Sequence, residues 1–177
     1  MKKQLKQAGT LLVFGIIVVL FHEYEWKQET LVTSEAQEQA EVVRIVDGDT
    51  IVVRIDDDDE KIRIIGINTP ESVKPNSPVE CFGEEASAYM RSLLQAGDFV
   101  NVSTDSTQDT RDRNGRLLAH VFFGDENIGE QMIQGGYAYE YTYRDPYIYQ
   151  VEYKIAERDA RNNNQGLWSS ETCNGQK

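Results

Sequence analysis

At 177 residues, 40% of them hydrophobic and 27% charged, the chain is long enough for one domain of ordinary size plus a tail, with a core that needs no metal or disulfide support. A formal charge of -12 excludes a uniformly basic surface that would coat nucleic acid. A polyanionic ligand would need positive charge concentrated in one groove, with the acidic remainder serving solubility.

Lys2, Lys3 and Lys6 precede an apolar run over residues 8–21, and Glu23 and Glu25 follow it. Basic before and acidic after is the pattern of an export segment whose N-terminus stays inside. Its 14 residues suit a signal-peptide core and fall short of the roughly 20 of a comfortable spanning helix. The readings are an uncleaved anchor, which would place the chain on a membrane, a cleaved signal, or a buried helix of the domain. Either export reading puts the domain outside the cell, secreted or on the outer face of the cytoplasmic membrane. Residues 1–21 are therefore read as a signal or anchor. Residues 22–40, polar and without period, are read as a linker, residues 41–170 as the folded domain, and residues 171–177 as a tail.

Order is expected from Glu41. Val42 to Val46 and Ile51 to Ile55 are β-branched runs separated by Asp47-Gly48-Asp49, a turn signal, and Lys61 to Ile67 is a third run. The acidic block from Asp56 to Glu60 between them reads as a solvated hairpin turn rather than a cation site. Pro75 and Pro78 mark a loop. Ala86, Tyr89, Met90, Leu93 and Leu94 recur at helical spacing, so a helix is expected over 84–95, stopped by Gly97. Strand-like runs follow at 98–104 and 117–123, then a short helix near 128–135. A last helix is expected from Asp145 as N-cap and Pro146 at its first position to about Asn162. Five short strands with a helix after the third match an α+β fold: a closed oligonucleotide-binding-type β-barrel with about three packed helices.

Asp47-Gly48-Asp49-Thr50, Arg63 ahead of Asn68-Thr69-Pro70-Glu71, and Asp112-Arg113-Asn114-Gly115-Arg116 each fall where a strand meets a turn. Carboxylate and carbonyl oxygens suit a hard cation and are poor for zinc. Two arginines can each take two phosphate oxygens in a planar fork. A carboxylate within reach of a water can accept its proton. These are the needs of phosphodiester hydrolysis.

With Cys81-Phe82-Gly83-Glu84-Glu85-Ala86-Ser87 and Gly166-Leu167-Trp168-Ser169, these segments resemble the signatures of the thermonuclease family, the staphylococcal-nuclease-like domains, in the family's order over about residues 41–170. The resemblance implies Ca²⁺-dependent cleavage of DNA and RNA; the chain itself is expected to be a monomer. It implies that Arg63 and Arg116 bind the phosphate and that Glu71 is the general base. Asp49, the side chain at position 68 and the main-chain oxygen of Thr69 would hold the metal, with Asp47 supporting them from behind. Two departures stand out. The family can carry an aspartate where this chain has Asn68, and a lysine and tyrosine where it has Arg113 and Asn114. Arg113 keeps the charge at the substrate; the lost ring could be replaced from Tyr137, Tyr139, Tyr141 and Tyr143, of which Tyr141 and Tyr143 are favoured.

Blander readings are weighed beside these. The arginines and carboxylates could form a structural network. Half of the tyrosines could be core. His120 reads as a packed or surface histidine. Cys81 and Cys173 allow one pairing, which would tie the first helix of the domain to the tail, or remain two free thiols. The rival functions are a catalytically silent nucleic-acid-binding barrel, which would be expected to lose an arginine or the glutamate, and an anchored interaction module, which would need no arginine pair.

Overall fold

The computed structural model describes residues 37–72 and 79–176; the apolar N-terminal run, most of the polar linker, and Pro75 and Pro78 lie outside the described residues. Strand β1 (Gln37–Ile45) takes in the last four residues of the stretch read as linker. Its first half, from Gln37 to Glu41, pairs antiparallel with β5 (Phe99–Ser103), and its second half pairs antiparallel with β2 (Thr50–Ile55). Val42 and Arg44 face the consecutive residues Val53 and Val52, so Val43 is the extra residue of a β-bulge. The bulge bends the strand and lets it serve both neighbours.

β2 turns into β3 (Asp58–Ile64) through Asp56 and Asp57, both at positive φ (47° and 72°). Two such residues make the turn that matches strand twist, and Asp tolerates it better than most residues. The expected hairpin is present, but its turn is confined to Asp56 and Asp57, and Asp58 to Glu60 belong to β3. Glu60 accepts a bidentate pair of hydrogen bonds from Arg111, at 2.9 Å each. β3 runs parallel to β6 (Leu117–Phe123), and β6 is antiparallel to β5. The sheet thereby returns to β1 and closes as a five-stranded barrel. β7 (Glu126–Asn127) adds to the end of β6. A separate two-stranded ribbon joins β4 (Ile67–Asn68) to β8 (Tyr139–Glu140).

Three helices complete the described domain: α1 (Gly83–Leu93), α2 (Ile128–Gln134) and α3 (Gln150–Asn162), followed by a 3-10 turn at Gly166–Trp168. Alternating strand residues Val42, Ile51, Val53, Ile62, Ile64, Val100, Val102, Ala119 and Val121 fill the barrel. Met90 within α1 and Leu94 just after it, Met132 and Ile133 of α2, and Tyr153 and Ala156 of α3 extend the same core. The fold is the expected α+β barrel.

Three local expectations are corrected. The third apolar run is not one strand: Gly66, at φ 80°, breaks it after Ile64, so Asn68 lies on the separate ribbon. Gly97 does not cap α1, because Leu94 is already extended and the Gly97 N–H donates to the Val42 carbonyl. The last helix starts at Gln150, not at Asp145. The Pro146 carbonyl accepts from Thr107 Oγ1 and Gln108 Nε2, and the Ile148 N–H donates to Asp105 Oδ2, so the segment before Gln150 is held by the 105–108 loop instead of by helix bonds.

Candidate active site

Strand register explains why the scattered motifs meet. Thr50 faces Arg63 across β2 and β3, and Arg63 faces Leu118 across β3 and β6, two residues after Arg116. The Ile64 N–H donates to the Asp49 carbonyl at 3.0 Å, which fixes Asp49 at the open end of this strand triplet. Gly48 permits the turn before it to close: a Cβ there would sit 2.7 Å from Thr69 Cγ2. Asp47, Asp49, Arg63, Asn68, Thr69, Glu71, Arg113, Arg116, Tyr141 and Tyr143 all line one cavity of about 840 Å³.

Asp49 is buried and saturated with donors. Its Oδ1 accepts from Thr50 Oγ1 (2.9 Å), and its Oδ2 accepts from Thr69 N (3.1 Å) and Thr69 Oγ1 (3.3 Å). The same Oδ2 lies 3.1 Å from Arg63 Nη2. That nitrogen also donates to Asn68 Oδ1 at 3.2 Å, while Arg63 Nη1 donates to the Ile64 and Ile67 carbonyls at 2.7 and 2.8 Å. The carbonyls orient the guanidinium, and the oxygens of Asp49 and Asn68 converge on its outer nitrogen. Arg116 pairs with Asp112 through Nε and Nη2, both at 2.7 Å, and its Nη1 donates to Thr50 Oγ1 at 3.2 Å. The Asp112 carboxyl resists burial and stays below the usual carboxylate range because Arg116 and the Asn114 N–H donate to it.

The Arg63–Asp49 pair required by the structural-network reading is therefore present. A pure network does not account for Asp47. Its carboxyl is pushed up to about 6, first by burial and then by the charge of Asp49 beside it. Burial and the neighbouring Asp49 charge both disfavour the ionised form of Asp47. Nor is the cavity basic, as the overall charge had required: five arginines line it, but so do six carboxylates. Both facts fit a site completed by a hard cation. Among the described residues no group of three or more His, Cys, Asp or Glu could hold a metal. The donors that fit are the Asp49 carboxylate, the Asn68 carbonyl oxygen and the Thr69 main-chain oxygen, an all-oxygen set of low charge.

Glu71 lines the same cavity, its backbone tied to Glu80. Arg113 is exposed. Tyr141 and Tyr143 are 44% and 67% exposed with ring centroids 6.3 Å apart, whereas Tyr137 stacks on Tyr89 at 4.0 Å and Tyr139 packs on Trp168. The four tyrosines thus divide between core and cavity. The Tyr141 N–H donates to the Gly66 carbonyl, so the ribbon that carries Asn68 also carries the tyrosine loop. Cys81 and Cys173 are joined as a disulfide. His120 is fully buried against Asp105 Oδ2, 3.2 Å away. The sequence reading gave no role to Thr50, Asp112, Glu80 or Asp105. Asp112 and Arg116 pair across a turn, not a helix, so their spacing of four carried no pairing signal.

A family model described as "Staphylococcal nuclease homologue" matches residues 61–170. The chain belongs to the staphylococcal nuclease homologues. It is 35% identical to a thermonuclease of Staphylococcus hyicus, over 92% of this chain and 96% of that protein. It is 32% identical to a thermonuclease of Staphylococcus intermedius, over 90% and 95%. It is 30% identical to endonuclease YncB of Bacillus subtilis, over 84% and 72%. Of the segments that carry the resemblance, those around Asp49, Arg63, Asn68 and Arg116 line the cavity, whereas Cys81–Ser87 and Gly166–Ser169 do not.

Proposed function

We propose that this chain is a nuclease that hydrolyses phosphodiester bonds of DNA and RNA with the help of Ca²⁺. The observation that carries the reading is the convergence of Asp49, Asn68, Arg63, Arg116 and Glu71 on one cavity. The named activities of the thermonuclease relatives support it. Asp49, Asn68 and the Thr69 main-chain oxygen would hold the cation, which would supply the positive charge that five arginines against six carboxylates leave short.

Arg63 and Arg116 present guanidinium forks to the non-bridging oxygens of the scissile phosphate, where charge grows during attack. The fork of Arg63 is pre-aimed by the Ile64 and Ile67 carbonyls, so little order is lost when phosphate replaces its carboxylate partner. Thr50 plays the same part for Arg116. Glu71 accepts the proton of the attacking water. Tyr141 and Tyr143 offer rings for base stacking, which tolerates any sequence and either sugar, and Arg113 offers a charge to a neighbouring phosphate.

The reading extends to location. The lysines before the apolar run at 8–21 support export, and a disulfide is at home in an oxidising compartment. The domain would act outside the cell, secreted or held at the outer face of the membrane. Digestion of DNA and RNA with Ca²⁺, with Mg²⁺ and with chelator tests the function. Cleavage in Ca²⁺ that chelator abolishes is expected; binding without cleavage in Ca²⁺ would favour the silent barrel.

A further inference from the structure

Glu71 is held by a closed ring of backbone and side-chain bonds. Its N–H donates to Glu80 Oε2 at 2.9 Å, and its carbonyl accepts from the Glu80 N–H at 2.9 Å. Next along the chain, Ser72 Oγ and Ser87 Oγ share a hydrogen bond of 2.8 Å, which ties the same segment to α1. The start of α1 presses on the Glu71 carbonyl so closely that a Cβ at Gly83 would lie 2.6 Å from that oxygen.

Between Glu80 and Gly83 stand Cys81 and Phe82. Phe82 adopts a left-handed φ of 70°, costly for an aromatic residue, and no side chain caps the helix it precedes. Such a turn does not persist unaided. On one side the Phe82 ring stacks on Tyr137, with centroids 5.3 Å apart. On the other, Cys81 is bonded to the buried Cys173, 92 residues on, in a tail of turns folded back on Gly166–Trp168. Cys173 lies beyond residue 170, where the family match ends.

We propose that Glu80, held in place by the Cys81–Cys173 disulfide, is a positioning residue for Glu71, so that the oxidation state of this bridge sets the rate of hydrolysis. The inference rests on the reading of Glu71 as general base. Reduction by a small dithiol such as dithiothreitol passes two electrons and two protons to the bridge. The S–S bond breaks, Cys81 and Cys173 become thiols, and the dithiol becomes a cyclic disulfide. The strained Phe82 turn then relaxes, Glu80 leaves the Glu71 N–H, and the backbone that carries the Glu71 carboxylate loses its fixed position. Misplacement of a reacting group by about 1 Å can cost about 100-fold in rate.

The test compares kcat, KM and the half-saturating Ca²⁺ concentration on DNA for the oxidised full chain, the reduced chain, the Cys81→Ser/Cys173→Ser variant, Glu80→Ala and Glu80→Gln. Reduction, the double serine variant and Glu80→Ala are each expected to lower kcat by about 10- to 100-fold with KM and Ca²⁺ requirement unchanged. Glu80→Gln is expected to keep most of the rate, because its amide oxygen still accepts the Glu71 N–H. Dithiol added to the double serine variant is expected to change nothing further. If loss of the bridge lowers the thermal midpoint but leaves kcat intact below it, the bridge is only a staple and the proposal falls. Should the reduced chain unfold in the assay, Glu80→Ala with the bridge intact decides: an unchanged kcat overturns the proposal. Glu71→Gln separates the two failures, since full turnover there would remove the general-base reading itself and this inference with it.

Discussion

Asn68 sets the charge of the proposed cation site. Its carbonyl oxygen and the Asp49 carboxylate reach the same Arg63 nitrogen, at 3.2 and 3.1 Å, so they can also face the same cation, but only one of them is charged. Fewer charged ligands bind Ca²⁺ more weakly. Asn68→Asp is therefore expected to lower the Ca²⁺ concentration for half activity roughly tenfold, in a calcium titration of DNA cleavage. No shift, or a rise, would show that position 68 does not hold the ion. The residue types at Asp49, Arg63, Asn68 and Arg116 were legible in the sequence because chemistry restricts which side chains can clamp a phosphate or face a hard cation. Their resting partners were not. That Arg63 spends two bonds on backbone carbonyls follows from the Gly66 break between β3 and β4, a three-dimensional fact with no trace in the spacing.

Between elements, two loops shape the cavity, and each depends on a buried polar contact. The tyrosine loop hangs from the β4–β8 ribbon, and Glu140 braces it by accepting from Thr142 Oγ1 at 2.6 Å and from the Tyr147 hydroxyl at 3.0 Å. Tyr141→Ala and Tyr143→Ala are each expected to weaken substrate binding by about 1–3 kcal/mol, seen as a higher KM on single-stranded substrate with kcat little changed. A higher kcat loss than KM rise would move these rings from binding to chemistry.

The 105–108 loop is anchored by Asp105, whose buried carboxylate accepts from His120, Thr107 and the Ile148 N–H. Burial alone would raise its carboxyl; the bonds from His120, Thr107 and Ile148 outweigh that and hold it well below the usual carboxylate range. A depressed carboxyl contributes stability that is present above its unfolded value and lost as pH falls through the folded one. Asp105→Asn is expected to cost about 3 kcal/mol in denaturant unfolding at neutral pH. That difference should shrink below about pH 4. A cost independent of acid would mean that the charge of Asp105 is not what the loop uses. Strands, helix count and order were legible here because β-branched runs and helical spacing are local signals. The start of α3 was not, because Asp145 and Pro146 carry a helix-start signature that the long-range bonds from Thr107, Gln108 and Asp105 override.

At the scale of the molecule, an acidic chain confronts a polyanionic substrate. The -12 formal charge is not offset by a basic groove, since carboxylates and arginines line the cavity in nearly equal number. On the proposed reading, attraction would come from a few fixed guanidiniums, stacking rings and a bound cation, rather than from a broad positive field. The barrel makes that possible by joining β3 to β6 in parallel, which brings motifs more than 50 residues apart to one end. The order of the motifs was legible in the sequence, and closure is what turns order into proximity. The central claim is that Glu71 takes the proton of the attacking water at this barrel end. It is tested most directly by single-turnover DNA cleavage with Glu71→Gln at saturating Ca²⁺. The account predicts a rate about 10²- to 10⁴-fold below that of the unaltered chain, with substrate binding retained; an unaltered rate would contradict it.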